Sequence, residues 1–135
     1  MLLPDIVQKF FPKEYSIVYI EETDEKYEFG LLSESVSARC PKCRKENHRM
    51  HSYHEKDVQD LPILGKGLRL AINQIKYFCD NEDCEIKIFT ERNRFVEHGT
   101  RYTNRCSQYM LKVAVQVSCE AASKILKYQG ITTVI

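Results

Sequence analysis

Cys40-Pro-Lys-Cys43, answered across a gap of 35 residues by Cys79-Asp-Asn-Glu-Asp-Cys84, is the stretch that decides how this chain folds. A C-x2-C loop and a C-x4-C loop can each wrap two thiolates around half of a tetrahedral metal. The intervening segment is long enough to run out and back as a β-ribbon, which brings the two halves together. That is the layout of a structural zinc ribbon, with four sulfurs and no open coordination position. Pro41 stiffens the first knuckle by fixing φ, and Asp80, Asn81 and Asp83 supply turn chemistry to the second. Two disulfides, or four ordinary buried thiols, are the bland alternatives. The opening Met1-Leu2-Leu3-Pro4-Asp5 lacks the basic region and long apolar core of a secretory leader. A cytoplasmic, reducing setting is therefore expected, and it favours metal over cystine. Zinc, soft and d10, suits all-thiolate tetrahedral ligation, with iron the main competitor. One structural Zn2+ held by Cys40, Cys43, Cys79 and Cys84 is the expected cofactor.

Working outward, 135 residues suffice for one compact domain or two small modules. No apolar run approaches the ~18–20 residues needed to cross a bilayer, so no membrane is expected among the partners. The net charge of +1 hides an asymmetry. Residues 1–35 carry eight acidic and three basic side chains, and the remaining hundred carry eleven acidic and seventeen basic. A net of −5 followed by +6 suggests that the second part faces a polyanion, against the plainer reading of a solvated surface of mixed sign.

Before the first knuckle, Asp5 to Phe11 is expected as a short helix stopped by Pro12. Tyr15 to Ile20 and Lys26 to Leu32 are rich in aromatic and β-branched residues and read as an acidic β-hairpin. Ile17, Tyr19, Phe29 and Leu31 are expected to pack on helices after residue 103. Between the knuckles, His48 to Lys56 reads as the outgoing strand and Leu61 to Gly65 as a turn with an apolar plug. Leu68, Leu70 and Ile72 alternate with polar or small residues in the return strand. The alternation slips at Gln74, which suggests a β-bulge before Cys79. His48, His51 and His54, spaced by three in a strand, fall on alternate faces and cannot converge on one metal. Ile86, Ile88 and Phe89 suggest a last short strand.

The segment from Arg92 to Lys112 carries Arg92, Arg94, Arg101, Arg105 and Lys112 against Glu97 alone, with Tyr102 and Tyr109 interleaved. A helix is expected from about Asn104, with Cys106, Tyr109, Met110, Val113 and Val117 on its apolar face. A second helix is expected after an N-cap at Ser118, ended by Gly130. Cys106 and Cys119 lack ligand spacing and read as small core residues. The fold class is thus α+β: an N-terminal β-hairpin and a four-cysteine ribbon, followed by C-terminal helices. The divisions are 1–36 (short helix and hairpin), 37–100 (zinc ribbon) and 101–135 (helices).

The run from Cys40 to about Arg105 resembles the N-terminal part of the ISL-three-type insertion-sequence transposases of bacteria. The matching pieces are Cys40-Pro-Lys-Cys43, His51-Ser52-Tyr53, Asp60-Leu61-Pro62 with Gly65, Tyr77-Phe78-Cys79, Cys84, and Ile88-Phe89 followed by Glu91-Arg92. The resemblance implies a zinc-ribbon domain, then helix-turn-helix elements, then a catalytic domain. Three departures stand out. Arg44 occupies the place where a glycine usually follows the first knuckle. A helix-turn-helix starts near Ser118 but reaches only Ile135, so the helix that would enter the major groove is mostly missing. Nothing here supplies the acidic triad that such transposases use for strand transfer. The resemblance therefore implies a truncated transposase, or a stand-alone copy of its DNA-binding head, without catalysis of its own.

Two functions of different class follow. The first is a double-stranded DNA-binding module for the ends of an insertion sequence. Its phosphate contacts would come from Arg92, Arg94, Arg101, Arg105 and Lys112, and from Arg39, Lys42 and Arg44 around the first knuckle. Arg101 and Arg105, four residues apart at a helix entry, are expected to point the same way. The second is a protein-interaction or assembly module, including a homodimer, scaffolded by the ribbon. Neither involves a small-molecule substrate.

Overall fold

The computed structural model describes residues 5–133. Residues 1–4, on which the leader argument turns, and 134–135, the end of the helical segment, lie outside the described residues. The elements in order are α1 (Asp5–Gln8), β1 (Tyr15–Glu22), β2 (Lys26–Ser33), β3 (Ala38–Arg39), β4 (Glu46–Asn47), β5 (Met50–Ile63), β6 (Lys66–Phe78), β7 (Ile88–Thr90), α2 (Asn104–Ala114) and α3 (Cys119–Tyr128). The expected mixture of strands followed by a few C-terminal helices is present. α1 is shorter than expected, ending at Gln8 while Phe11 turns inward to become buried.

Five strands form one sheet, ordered β1-β2-β6-β5, with β7 also paired to β6. β1 and β2 make the expected hairpin, whose turn is fixed by Thr23 Oγ1 accepting from the amides of Glu25 and Lys26. The hairpin does not stand apart. β2 lies parallel to β6, from Lys26 beside Gly67 to Leu32 beside Asn73. β5 covers the other edge of β6 from Lys66 to Tyr77, so β7, paired at Lys76 to Phe78, must continue the edge that β2 leaves. The sheet thus runs across the division drawn at residue 36.

β6 serves two cores. Leu68, Leu70 and Ile72 point to one face and pack with Phe11, Tyr15, Ile17, Phe29, Leu31, Val58 and Val96. Ile75 and Tyr77 point to the other face and pack with Phe89 and the cysteines. The apolar residues change parity at Gln74 because the strand passes from one core to the next. It contains no extra residue there: Leu68 to Lys76 pair one for one with Asp60 to Ser52. The expected bulge lies on the partner strand, where Met50 pairs with Tyr77, Ser52 pairs with Lys76, and His51 is left over. A change of face and a bulge produce the same slip in a pattern, which is why the sequence alone could not place it.

The turn between β5 and β6 also departs from expectation. The strand persists to Ile63, and Leu64-Gly65 form a two-residue turn with φ of 52° and 79°. Leu64 is 89 % exposed, so it plugs nothing.

α2 is N-capped by Thr103 and α3 by Ser118, whose hydroxyl oxygens accept from the amides of Cys106 and Ala121. Gly130, at φ 95°, follows α3 as expected. The helices bury Cys106, Leu126 and Ile131 against Leu61 and Tyr102, at the end of β5. They do not receive the hairpin. Ile17, Phe29 and Leu31 pack under Phe11 and Val96 instead, and Tyr19 lies half-exposed over Gly30. The register with β6 turns the apolar side of the hairpin to the face that the N-terminal segment and residues 95–96 cover.

Candidate metal centre and basic surface

Two short loops bring four sulfurs together. In the first, Cys40 N donates to Lys45 O at 3.0 Å and Arg44 N donates to Cys40 O at 3.0 Å, closing the loop that β3 and β4 flank. Arg44 sits at φ 67°, the left-handed region where glycine is favoured, so the knuckle carries local backbone strain of ~1–2 kcal/mol. In the second, Asn81 Oδ1 accepts from Asp83 N at 3.0 Å and Asn81 O accepts from Cys84 N at 3.0 Å. The turn chemistry expected of Asp80, Asn81 and Asp83 takes the form of an Asx turn at Asn81.

Asn47 joins the loops. It is 1 % exposed, donates Nδ2 to Lys45 O at 2.8 Å, and accepts from Asp80 N on Oδ1 at 2.8 Å. Lys42 pairs with Glu85 at 2.5 Å, and Arg49 pairs with Asp80 at 2.6 Å while stacking on Phe78. Sequence reading missed Asn47, since a lone asparagine in a polar stretch carries no signal of its partner 33 residues on.

The sulfurs fit a tetrahedral ion. All six cysteines of the chain are free thiols, and the ligand atoms of Cys40, Cys43, Cys79 and Cys84 lie within 4.8 Å of one another. Cys40 and Cys84 are 3.8 Å apart, and Cys43 and Cys79 3.7 Å. With Zn–S bonds of ~2.3 Å, the edge of a regular tetrahedron is about 3.8 Å. Three of the four thiols are buried, so the donors are soft, shielded and complete. The four cysteines are thus the site of one structural zinc ion. Apart from metal, the thiols are unequal. The Lys45 amide, then the Asn81 side chain, pull Cys43 down to about 6. Cys79 is lowered by the Asn81 amide, but burial and its sulfur neighbours outweigh this and push it up to about 11. Bound zinc makes all four thiolates. His48, His51 and His54 are exposed, and among the described residues the four-cysteine cluster is the only metal-holding group.

The basic residues fall into separate settings. Arg39 and Arg44 are exposed beside the first knuckle, where Lys42 is paired with Glu85. Arg92 is exposed, and Arg94 makes only a long 3.6 Å contact with Glu14. Pro41 of the first knuckle and Arg92 and Arg94 line one groove of about 650 Å³. Lys112 is exposed in the last turn of α2. Arg101 lies outside α2, in a segment whose backbone bonds to Gln59, and shares a smaller hollow with Arg69. It therefore does not share a helical face with Arg105, because the helix starts only at Asn104. Arg105 turns inward: it donates Nε to Asp60 at 2.8 Å and Nη1 to Phe10 O at 2.9 Å, and lies over the Phe11 ring.

A second buried carboxylate, Glu91, accepts from the Ser33 and Ser35 hydroxyls at 2.9 Å and from Ile75 N at 2.5 Å. It ties the hairpin to β6 where β2 ends. Sequence reading quoted Asp60 and Glu91 only as matching pieces; both work inside the fold. No described helix is long and apolar enough to cross a membrane.

Comparison with curated proteins and with solved structures gives no match. Residues 37–84 match the family described as the zinc-finger of transposase IS204/IS1001/IS1096/IS1165. The segment that Cys40, Cys43, Cys79 and Cys84 hold together is therefore similar to the zinc ribbon of ISL3-type transposases, and its four sulfurs are the ligand set of a structural zinc.

Proposed function

We propose that this chain is a zinc-scaffolded DNA-binding module that recognises the ends of an insertion sequence. The match of residues 37–84 to a transposase zinc finger carries this reading. It is supported by the groove in which the first knuckle meets Arg92 and Arg94. Arg39, Arg44, Arg92, Arg94, Arg101 and Lys112 are the phosphate-contacting candidates. Lys42 contributes less, being paired with Glu85, and Arg105 contributes nothing, being held by Asp60. The reading assigns no catalysis to these residues, since four thiolates leave zinc no position for a reactive water.

In this reading α3, capped by Ser118, opens a helix-turn-helix. Phosphate contacts from these exposed cations make binding steep in salt. Gel shifts with transposon-end and random duplexes across a salt series test this. Absence of a shift with either duplex at low salt would sink it.

A second reading, an assembly module, is favoured by Leu111, Val115 and Tyr128, which α2 and α3 leave exposed. It expects a concentration-dependent mass in light scattering and no dependence of binding on DNA.

A further inference from the structure

Lys56 has a place in the fold that its sequence context does not explain. It stands on β5 opposite Ile72, on the face that also carries Gln74, and it lines the same groove of about 650 Å³ as Pro41, Arg92 and Arg94. Its side chain is half-buried, and its Nζ meets only the carbonyl oxygen of Glu97, at 3.4 Å. Among the described residues no carboxylate pairs with it. Glu91, the buried acid that lines the groove, is already engaged by two hydroxyls and an amide. An ammonium drawn partly out of water without a counter-ion is costly, and burial does lower the pKa of Lys56.

The rim adds to the imbalance. Arg92 has no ion pair among the described residues, and Arg94 is 84 % exposed with a partner 3.6 Å away, a contact of little strength. Asn93, between them, has a buried Nδ2 with no acceptor among the described residues, although its Oδ1 is fixed by the Phe95 amide. Buried donors of this kind call for a partner. Lys56, Arg92 and Arg94 outnumber the two carboxylates that also line the groove, Glu91, which is engaged inside the fold, and Glu97, which is exposed. The remaining positive charge matches a group with a full negative charge and several acceptor oxygens.

We propose that this groove is a phosphate pocket, in which Lys56, with Arg92 and Arg94 at the rim, receives a backbone phosphate of duplex DNA. The proposal rests on the DNA-binding reading above and assigns it a place, between the first knuckle and residues 91–98. It adds Lys56, which looks like an ordinary strand lysine in the sequence.

Titrations of the zinc-loaded chain followed by amide NMR test it, one with a short duplex of random sequence and one with inorganic pyrophosphate. The duplex is expected to move the amides of Lys56 and residues 92–94 and the side-chain amide of Asn93. Lys56→Gln is expected to weaken duplex binding by about threefold to tenfold and to reduce the slope of log K against log salt by about one. Its melting temperature should stay unchanged, and Lys56→Arg should restore binding. If the duplex binds but these amides stay still and Lys56→Gln keeps both affinity and slope, the pocket is wrong while the DNA reading stands. If pyrophosphate moves the amides and the duplex does not bind, the groove is a free-anion site and the DNA reading falls, taking this assignment with it. Silence in both titrations overturns both.

Discussion

Arg105 and Asp60 clasp each other where β5 meets α2. Arg105 Nε donates to Asp60 Oδ1 at 2.8 Å, a second guanidinium nitrogen pairs with Oδ2, and Asp60 is 1 % exposed. Thr103, the cap of α2, donates its hydroxyl to the same carboxylate at 2.7 Å, and Leu61 N donates to it at 2.8 Å. Asp60 thus fixes the helix start and the arginine together, and the pair holds the fold. Arg105→Ala should cost about 1–3 kcal/mol of stability, discounted from a fully buried pair because Arg105 is 42 % exposed. It should leave the salt slope of DNA binding unchanged, whereas Arg101→Ala should do the reverse. Denaturant melts alongside gel shifts separate the two, and a reduced slope for Arg105→Ala at unchanged stability would contradict this assignment.

Removing zinc should open one end of the sheet first. The metal sits with Ile75, Tyr77 and Phe89, while Leu68 to Asn73 are sandwiched between β2 and β5 over a separate core. Hydrogen exchange after chelation, or in Cys84→Ser, should rise over residues 38–50 and 76–90 while 68–73 stay protected. Uniform exchange would mean a single cooperative unit. Structural zinc sites contribute ~10–16 kcal/mol of apparent binding free energy, so a large drop in melting temperature should accompany the loss.

Gly67 and Gly130 touch through their backbones: a β-carbon on Gly67 would lie 2.6 Å from Gly130 O, and one on Gly130 would lie 2.5 Å from Gly67 N. Gly130 also has φ 95°. Gly130→Ala should therefore cost ~2–3 kcal/mol, the sum of backbone strain and displacement. Gly65→Ala, in open space at φ 79°, should cost only ~1–2 kcal/mol. Leu64→Asn should stabilise by up to ~1 kcal/mol, because asparagine tolerates the left-handed turn that the exposed leucine does not favour. Thermal melts of the three variants should rank in that order.

Thiol chemistry should distinguish the two cysteines outside the metal site. Cys119 is exposed, whereas Cys106 is fully buried, and burial, with Asp60 adding to it, pushes its thiol from 9.0 up to about 12. Mild alkylation of the zinc-loaded chain should label Cys119 alone, as counted by mass spectrometry. The folded state favours the neutral Cys106 thiol, so its contribution to stability is complete below pH 9 and is lost as pH rises toward 12. Cys106→Ala should soften that alkaline loss, which pH-dependent melts would record.

The parts legible in the sequence are those whose partners lie close along it. The knuckles, the hairpin, the turn at Asn81 and the cap at Ser118 all depend on neighbours a few residues away. The parallel pairing of β2 with β6 has no local mark, because its register is set by cores that close only in three dimensions. Arg105 read as a surface cation for the same reason: Asp60, 45 residues earlier, gives no sign of seeking it. Lys56 and Asn47 were hidden by the ordinariness of lysine and asparagine in polar strands.

The parallel strand has a consequence for how the chain is made. β2 is complete by Ser33, yet the edge it offers to β6 stays uncovered until residues 67–73 have been synthesised. Cys40 and Cys43 wait likewise for Cys79 and Cys84. Both gaps must be closed across loops of some forty residues, and neither half is stable against its own unpaired edge or bare thiols. Metal capture and sheet closure therefore fall at nearly the same point on the ribosome, after the second knuckle emerges. A nascent chain stalled before Cys79 would carry an open strand edge and two reactive sulfurs, and would be the form most prone to aggregate or to be oxidised.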